Sequence, residues 1–213
     1  MATQPSDVRP SQASDTALLE AWRAGDAAAG NVLFNRHFQS VFRFFRTKVD
    51  GGVDDLVQQT FLACVEGRDR LRDKTGFRAY LFAVARNRLY MYFQRVGRED
   101  VDPAVSSLHD MGRSPSRVLV ERAEERLVLE GLRRLPLDFQ IALELYHWEG
   151  LTGPQLAAVL DVPEPTVRSR LRRGTQRLRD AIAELADSAT VLDSTLTDLT
   201  KWAQQVRQHV DAR

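Results

Sequence analysis

One cysteine in 213 residues, Cys64, rules out an internal disulfide and any cysteine-rich metal centre. It falls in an apolar helical stretch, which points to a buried structural thiol. No hydrophobic run approaches the roughly 20 residues that cross a bilayer. The first fifteen residues, MATQPSDVRPSQASD, lack the apolar core of a signal peptide. The expectation is a soluble cytoplasmic protein. Neither charge is in excess, with 30 basic residues against 29 acidic, so charge matters here only by location. The four histidines (His37, His109, His147, His209) are scattered. No paired carboxylates, glycine-rich phosphate loop or Ser/His/Asp grouping stands out, so the chain reads as a non-enzyme with no metal site and no cofactor. Period-two alternation and internal repeats are also missing, which leaves an all-α fold.

What the chain does have is helical periodicity in blocks. Residues 1–14, rich in Pro, Ser and Gln, read as a disordered N-terminus. A helix starts after Asp15, taken as its N-cap, and pauses at Gly25-Asp26. A second runs from about 27 to 49, with Phe34, Phe38, Val41 and Phe45 on one face. A third starts at Asp54-Asp55, acids suited to a helix N-terminus, and ends near Glu66-Gly67. A polar loop, 68–76, leads into a fourth at about 75–96. From 98 to 116 the sequence REDVDPAVSSLHDMGRSPS has few apolar residues and many turn formers, and reads as a flexible inter-domain linker. Helix resumes near Pro115 and stops at Pro136; another covers about 137–148. The outcome is two small helical domains, 15–97 and 117–186, plus a C-terminal helical extension, 187–213.

Leu151–Asp180 carries the strongest functional signal. Thr152 and Gln155 have capping-box spacing, and Leu156, Ala157, Val159 and Leu160 give a short apolar face. Asp161-Val162-Pro163 breaks that helix. From Glu164 a second helix puts Val167, Leu171, Gly174 and Leu178 on one stripe. The opposite face holds Ser169, Arg172, Arg173 and Gln176, flanked by Arg168, Arg170, Arg177 and Arg179. A thin apolar stripe under a cationic face suits a recognition helix in a major groove. Arginine contacts phosphates and forms bidentate bonds to guanine, while Gln and Ser read other base edges. A second basic stretch runs from Phe77 to Arg98, where Arg78, Arg86, Arg88, Arg95 and Arg98 occur with no acid between them.

Three blocks, in order, resemble the sigma-70 family, specifically its extracytoplasmic-function (ECF, group 4) subfamily. The block at 54–62, DDLVQQTFL, is similar to the polymerase-anchoring helix of region 2. The block FRAYLFAVARN at 77–87 resembles the promoter-melting and minus-ten segment. LRRLP at 132–136 and the run at 149–173 resemble region 4. The resemblance implies a factor that recruits core RNA polymerase to promoter DNA and initiates transcription. Asp54, Asp55, Leu56, Gln58, Gln59 and Leu62 would dock on polymerase. Tyr80, Arg86, Asn87 and the loop Arg72, Asp73, Lys74 and Thr75 would face the minus-ten element, with the loop holding a flipped base. Basic side chains hold the phosphates of a separated strand, and aromatic faces receive unstacked bases. Thr166, Arg168, Ser169, Arg172, Arg173 and Gln176 would read the minus-thirty-five element.

The chain departs from the family pattern at several positions. Met91 stands where an acid is common, and the apolar run Tyr90-Met91-Tyr92-Phe93 marks a contact with another part of the chain. Pro163 takes the place of a capping Ser, at a cost of roughly 1 kcal/mol, which Pro165 partly offsets by stiffening the first turn. Asp161 replaces a turn Gly and tolerates the left-handed conformation. In the C-terminal extension, Leu192, Leu196, Leu199, Trp202, Val206 and Val210 share one side. That stripe either caps region 4, or regulates by holding the domains together or by covering a surface that an anti-sigma factor or polymerase would bind. Two other functions compete: a helix-turn-helix regulator acting without polymerase docking, and a helical adaptor whose basic helix binds an acidic protein.

Overall fold

The computed structural model describes residues 13–68, 76–95, 106–108 and 123–185. Eight helices occur among them: α1 (Asp15–Arg23), α2 (Ala27–Arg46), α3 (Val53–Glu66), α4 (Gly76–Arg95), α5 (Ala123–Arg133), α6 (Leu137–His147), α7 (Gly153–Leu160) and α8 (Glu164–Leu185). The all-α reading therefore holds for the described residues. None of their helices is long and apolar enough to cross a membrane. The N-terminal segment 1–12, the loop Arg72–Thr75 and the extension 187–213 lie outside them.

Local chemistry sets the helix ends. The cap of α1 is Ser14, whose hydroxyl accepts from the Ala17 N–H at 3.2 Å, and not Asp15 as the sequence pattern indicated. Asp15 instead occupies the first turn and reaches α2, accepting from Arg36 at 2.6 Å and pairing with His37 at 2.7 Å. Those two bonds hold its carboxyl down at about 2, against the opposing effect of burial. Asp26 caps α2 by accepting from Ala28 and Ala29 at 2.9 and 3.1 Å. That helix ends at Arg46, three residues short of the expected Val49. There the Lys48 ammonium turns back to the Phe44 carbonyl, at 2.9 Å, and the chain leaves the helical path.

Trp22, Phe34 and Phe77 bring α1, α2 and α4 together, with edge-on rings 5.1 and 6.4 Å apart between Trp22 and the two phenylalanines. Cys64 is fully buried, and burial pushes its thiol up to about 12, as befits a structural group. One member of the predicted α2 stripe departs from it. Phe34, Val41 and Phe45 pack inward, but Phe38 is 41% exposed, stacked on Phe42 and Phe61 at the surface.

The two helical domains pack against each other. A single apolar cluster runs from Leu33, Phe45 and Phe82 of the first four helices into Leu137, Ile141, Leu145, Leu156, Leu160 and Val167 of the last four. The helix α4 packs against α7. Part of the supposed linker belongs to this core: Leu108 is completely buried, Ser107 forms an isolated bridge with Pro136, and the Leu137 N–H donates to the Ser106 carbonyl at 3.0 Å. A lone leucine among turn formers is a weak sequence signal, yet one leucine suffices to pin a strand of linker in an apolar groove. A second, smaller cluster, built on Val128, Leu132, Phe139, Trp148, Leu178 and Ile182, ties α5 and α6 to α8.

Candidate nucleic-acid interface

The helix-turn-helix forms as its sequence requires. At its start the Thr152 N–H donates to the Gln155 side-chain oxygen at 2.9 Å, one arm of the expected capping box. Asp161 ends α7 in the left-handed region, φ 54°, among the described residues the one non-glycine with positive φ. Pro163 offers no side-chain acceptor, but its carbonyl receives the Thr166 and Val167 N–H groups at 2.9 and 3.2 Å. Glu164 adds a negative charge in the first turn of α8 and pairs with Arg168 at 2.7 Å.

The predicted stripe of α8 faces inward: Val167, Gly174 and Leu178 are buried and Leu171 is half-buried. Gly174 lets α8 lie close on α6, since a Cβ there would sit 3.2 Å from the Phe139 ring. On the outer side Arg168, Arg172, Arg173 and Gln176 are exposed, as are Arg177 and Arg179. The Arg173 and Arg177 guanidiniums lie 5.9 and 4.9 Å from the Phe139 ring centre, which steadies two long side chains by cation–π contact. Thr166 and Ser169 sit at the edge of this face, half-buried, with the Ser169 hydroxyl donating to the Thr166 carbonyl at 2.9 Å. All six predicted residues thus lie on one helix, four of them open to solvent.

One arginine of α8 behaves differently. Arg170 turns inward, its side chain only 14% exposed, and pairs with Asp138 of α6 at 3.0 Å. The other Asp138 oxygen serves α4. It accepts from the Tyr90 hydroxyl at 2.6 Å and from Arg86 at 3.3 Å, and Arg86 also donates to the Tyr90 oxygen at 2.8 Å with its guanidinium 4.5 Å above that ring. Burial and the Asp138 charge both push the Tyr90 hydroxyl up, so it stays a donor. The unusual Tyr90–Phe93 run does meet another part of the chain, through Tyr90. Of the minus-ten residues, Arg86 is engaged in this cluster, Tyr80 is half-buried with its hydroxyl against Gly67, and Asn87 is exposed.

The predicted docking residues divide in the same way. On α3, Asp54, Asp55, Gln58 and Leu62 are exposed, Leu62 by 56%, and Gln59 is half-buried and donates to Asp55 at 2.6 Å. Leu56 is buried and supports the helix from inside. The sequence pattern missed Phe38 and Val65, each 41% exposed, which extend the apolar surface of α2 and α3. Phe38 shares a helical face with Phe34, Val41 and Phe45, but α3 covers it only in part, through Phe61. No group of three or more His, Cys, Asp or Glu side chains among the described residues is placed to hold a metal.

These elements define an all-helical, two-part DNA-binding protein with a helix-turn-helix in its C-terminal part. Residues 33–99 match the model of sigma-70 region 2, and residues 125–178 match that of sigma-70 region 4. The chain belongs to the sigma-70 family, in its extracytoplasmic-function subfamily. It is 28% identical over 185 residues to the ECF RNA polymerase sigma-E factor of Haemophilus influenzae, an alignment covering 82% of this chain and 98% of the relative. The sigma-E factor of Escherichia coli is equally similar, at 28% identity over 82% of this chain and 97% of its own. Two solved structures share the fold. CnrH, solved with the cytosolic domain of CnrY, has a TM-score of 0.59 at 24% identity and covers 82% of this chain and 99% of its own. The Bartonella quintana sigma factor RpoE, solved with the anti-sigma factor NepR, has a TM-score of 0.52 at 22% identity, covering 73% and 98%.

Proposed function

We propose that this chain is the promoter-specificity subunit of a bacterial RNA polymerase, gripping promoter DNA at two places and polymerase at a third. In this reading α8 enters the major groove of the minus-thirty-five element. Arg168, Arg172, Arg173 and Gln176 supply base and phosphate contacts, with Thr166 and Ser169 at the margin. The helix α4, through Tyr80, Arg86 and Asn87, and the loop Arg72–Thr75 engage the minus-ten strand after melting. The exposed face of α3, with Asp54, Asp55, Gln58, Gln59 and Leu62, docks on core polymerase by hydrogen bonds and charge pairs around an apolar contact. The protein acts as an initiation factor and leaves the chemistry of RNA synthesis to its partner.

The observation that carries this reading is the order of the two sigma-70 regions along one chain, with an open cationic face on the recognition helix of the second. The test is reconstitution: the full chain with bacterial core polymerase, followed by mapping of the promoters opened. Specific open complexes are expected, and Gln58→Ala should weaken polymerase binding while leaving binding to duplex DNA intact. A chain that does not associate with core polymerase would overturn the proposal.

A further inference from the structure

Met91 of α4 is 40% exposed, whereas the aromatic residues beside it are used by the fold. Tyr90 reaches Asp138 of α6 at 2.6 Å, Tyr92 packs against the apolar core and Phe93 is completely buried. A single exposed methionine is common on protein surfaces. What sets this one apart is its place on the helix.

At about 100° per residue, Tyr80, Asn87 and Met91 fall within about 40° of one another around α4. Asn87, Met91, Gln94 and Arg95 are all exposed, so the stripe is open toward the end of the helix. A guanidinium stands on each side of it. Arg86 leans toward α6, where it donates to Asp138 at 3.3 Å. Arg88 leans toward α3, where its charge acts on Cys64, and its Nη1 lies 4.0 Å from the Met91 sulfur. No acid occurs between Phe77 and Arg98. An apolar tip between cationic flanks suits a nucleic-acid strand, with phosphates at the arginines and a base edge in the middle.

We infer that Met91 reads a base, making apolar contact with the C5 methyl of a thymine near the position faced by Asn87, an assignment that rests on α4 being the helix that engages the minus-ten element. Met91 lies four residues beyond Asn87, about 6 Å along the helix axis. Successive bases are roughly 3.4 Å apart, so the two side chains address bases one or two positions from each other. The side-chain chemistry selects the base. Thymine alone among the four bases presents a methyl group in the major groove. Methionine has no donor and only a weak acceptor, so against another base it would strip water from polar edge groups without replacing their hydrogen bonds. An acid, common in the family at this position, would instead accept from the cytosine amino group. The exchange of acid for Met91 therefore moves the preference from cytosine to thymine.

The experiment uses the full chain with bacterial core polymerase and a pool of forked DNAs, part duplex and part single-stranded, randomised across the junction. Retained DNA is sequenced for wild type, Met91→Leu and Met91→Asp, with equal thermal midpoints confirming that the exposed substitutions leave the fold intact. Wild type is expected to enrich thymine at one position and Met91→Leu to keep that preference. Met91→Asp is expected to lose it and to gain cytosine there, with preferences elsewhere unchanged. Replacing that thymine by uracil removes the methyl alone and needs no protein variant. It is expected to lower wild-type affinity by about three- to fivefold, the effect of one buried methyl, and to leave Met91→Asp unaffected. A Met91→Asp profile identical to wild type, or wild-type affinity indifferent to uracil, would overturn the assignment and leave the sigma-factor reading standing. A wild-type chain that retains no sequence selectively with polymerase would overturn both.

Discussion

The Lys48 ammonium, in the turn after α2, is buried against the Glu144 carboxylate of α6, with side-chain exposures of 0% and 2%. Burial pulls the Lys48 ammonium down, and the Glu144 charge opposes that shift. The ammonium has further partners in the Phe44 carbonyl at 2.9 Å and the Thr47 hydroxyl at 3.0 Å, and it lies 4.2 Å from the Phe44 ring centre. Removing the acid alone strands a charge in an apolar setting. We expect Glu144→Leu alone to destabilise the chain by about 3–5 kcal/mol, and the double Lys48→Met, Glu144→Leu variant to recover most of that loss. Urea unfolding of the two single variants and the double variant completes the cycle, and strictly additive losses would contradict a coupled pair.

Gly30 is the point where α2 passes under Trp22. A Cβ at this position would lie 2.5 Å from Trp22 Cδ1 and 2.7 Å from its Nε1. Gly30→Ala gains helix propensity but forces a buried ring to shift among Phe34 and Phe77. Overpacking wins, and a net destabilisation of about 1–3 kcal/mol is expected. Thermal unfolding checks it; a stabilised variant would mean that the ring moves freely.

His147 lies at the end of α6 in a small apolar recess with Val128, Leu132, Leu143, Trp148 and Leu178. Burial disfavours the imidazolium, so its folded pKa lies below the ordinary value of 6.5. A depressed folded value means that the unfolded chain binds the proton first. Stability is therefore fully present above 6.5 and is lost as the pH falls from there through the folded value. The midpoint of thermal unfolding is expected to fall between about pH 7 and pH 5, and His147→Gln should flatten that part of the profile. An unaltered slope in the variant would assign the acid sensitivity to another group.

Arg172 is exposed in the middle of the cationic face of α8. Arg172→Ala is expected to weaken binding to minus-thirty-five duplex and, if the contact is to phosphate, to lower the salt slope by about one. Core-polymerase binding should be unaffected. An equal loss of both would show that α8 serves docking as well as reading.

Much of the molecule was legible from residue order alone because its signals are local. Thr152 with Gln155, Asp161 in a left-handed turn, and the Val167–Leu178 stripe are set within a few residues of chain, and each forms as expected. The same holds for the exposure of Arg168, Arg172 and Arg173 on α8 and of Gln58 on α3. Assignments that depended on distant partners fared differently. Phe38 has the spacing of a core residue and Leu56 was assigned to the docking face, yet the first is exposed and the second buried. Periodicity defines a helix face but not what lies opposite it.

By itself the sequence determined eight helices among the described residues, a capped helix-turn-helix and a cationic reading face, because caps, turns and helical stripes are short-range chemistry. Tertiary structure alone decided that Arg86 and Arg170, 84 positions apart by numbering (170 − 86), share the carboxylate of Asp138. It also decided that Lys48 is sealed against Glu144, and that Leu108 draws part of the linker into the core. Charge pairing across such separations depends on how whole helices are brought together, and no local pattern records which acid a given arginine will meet.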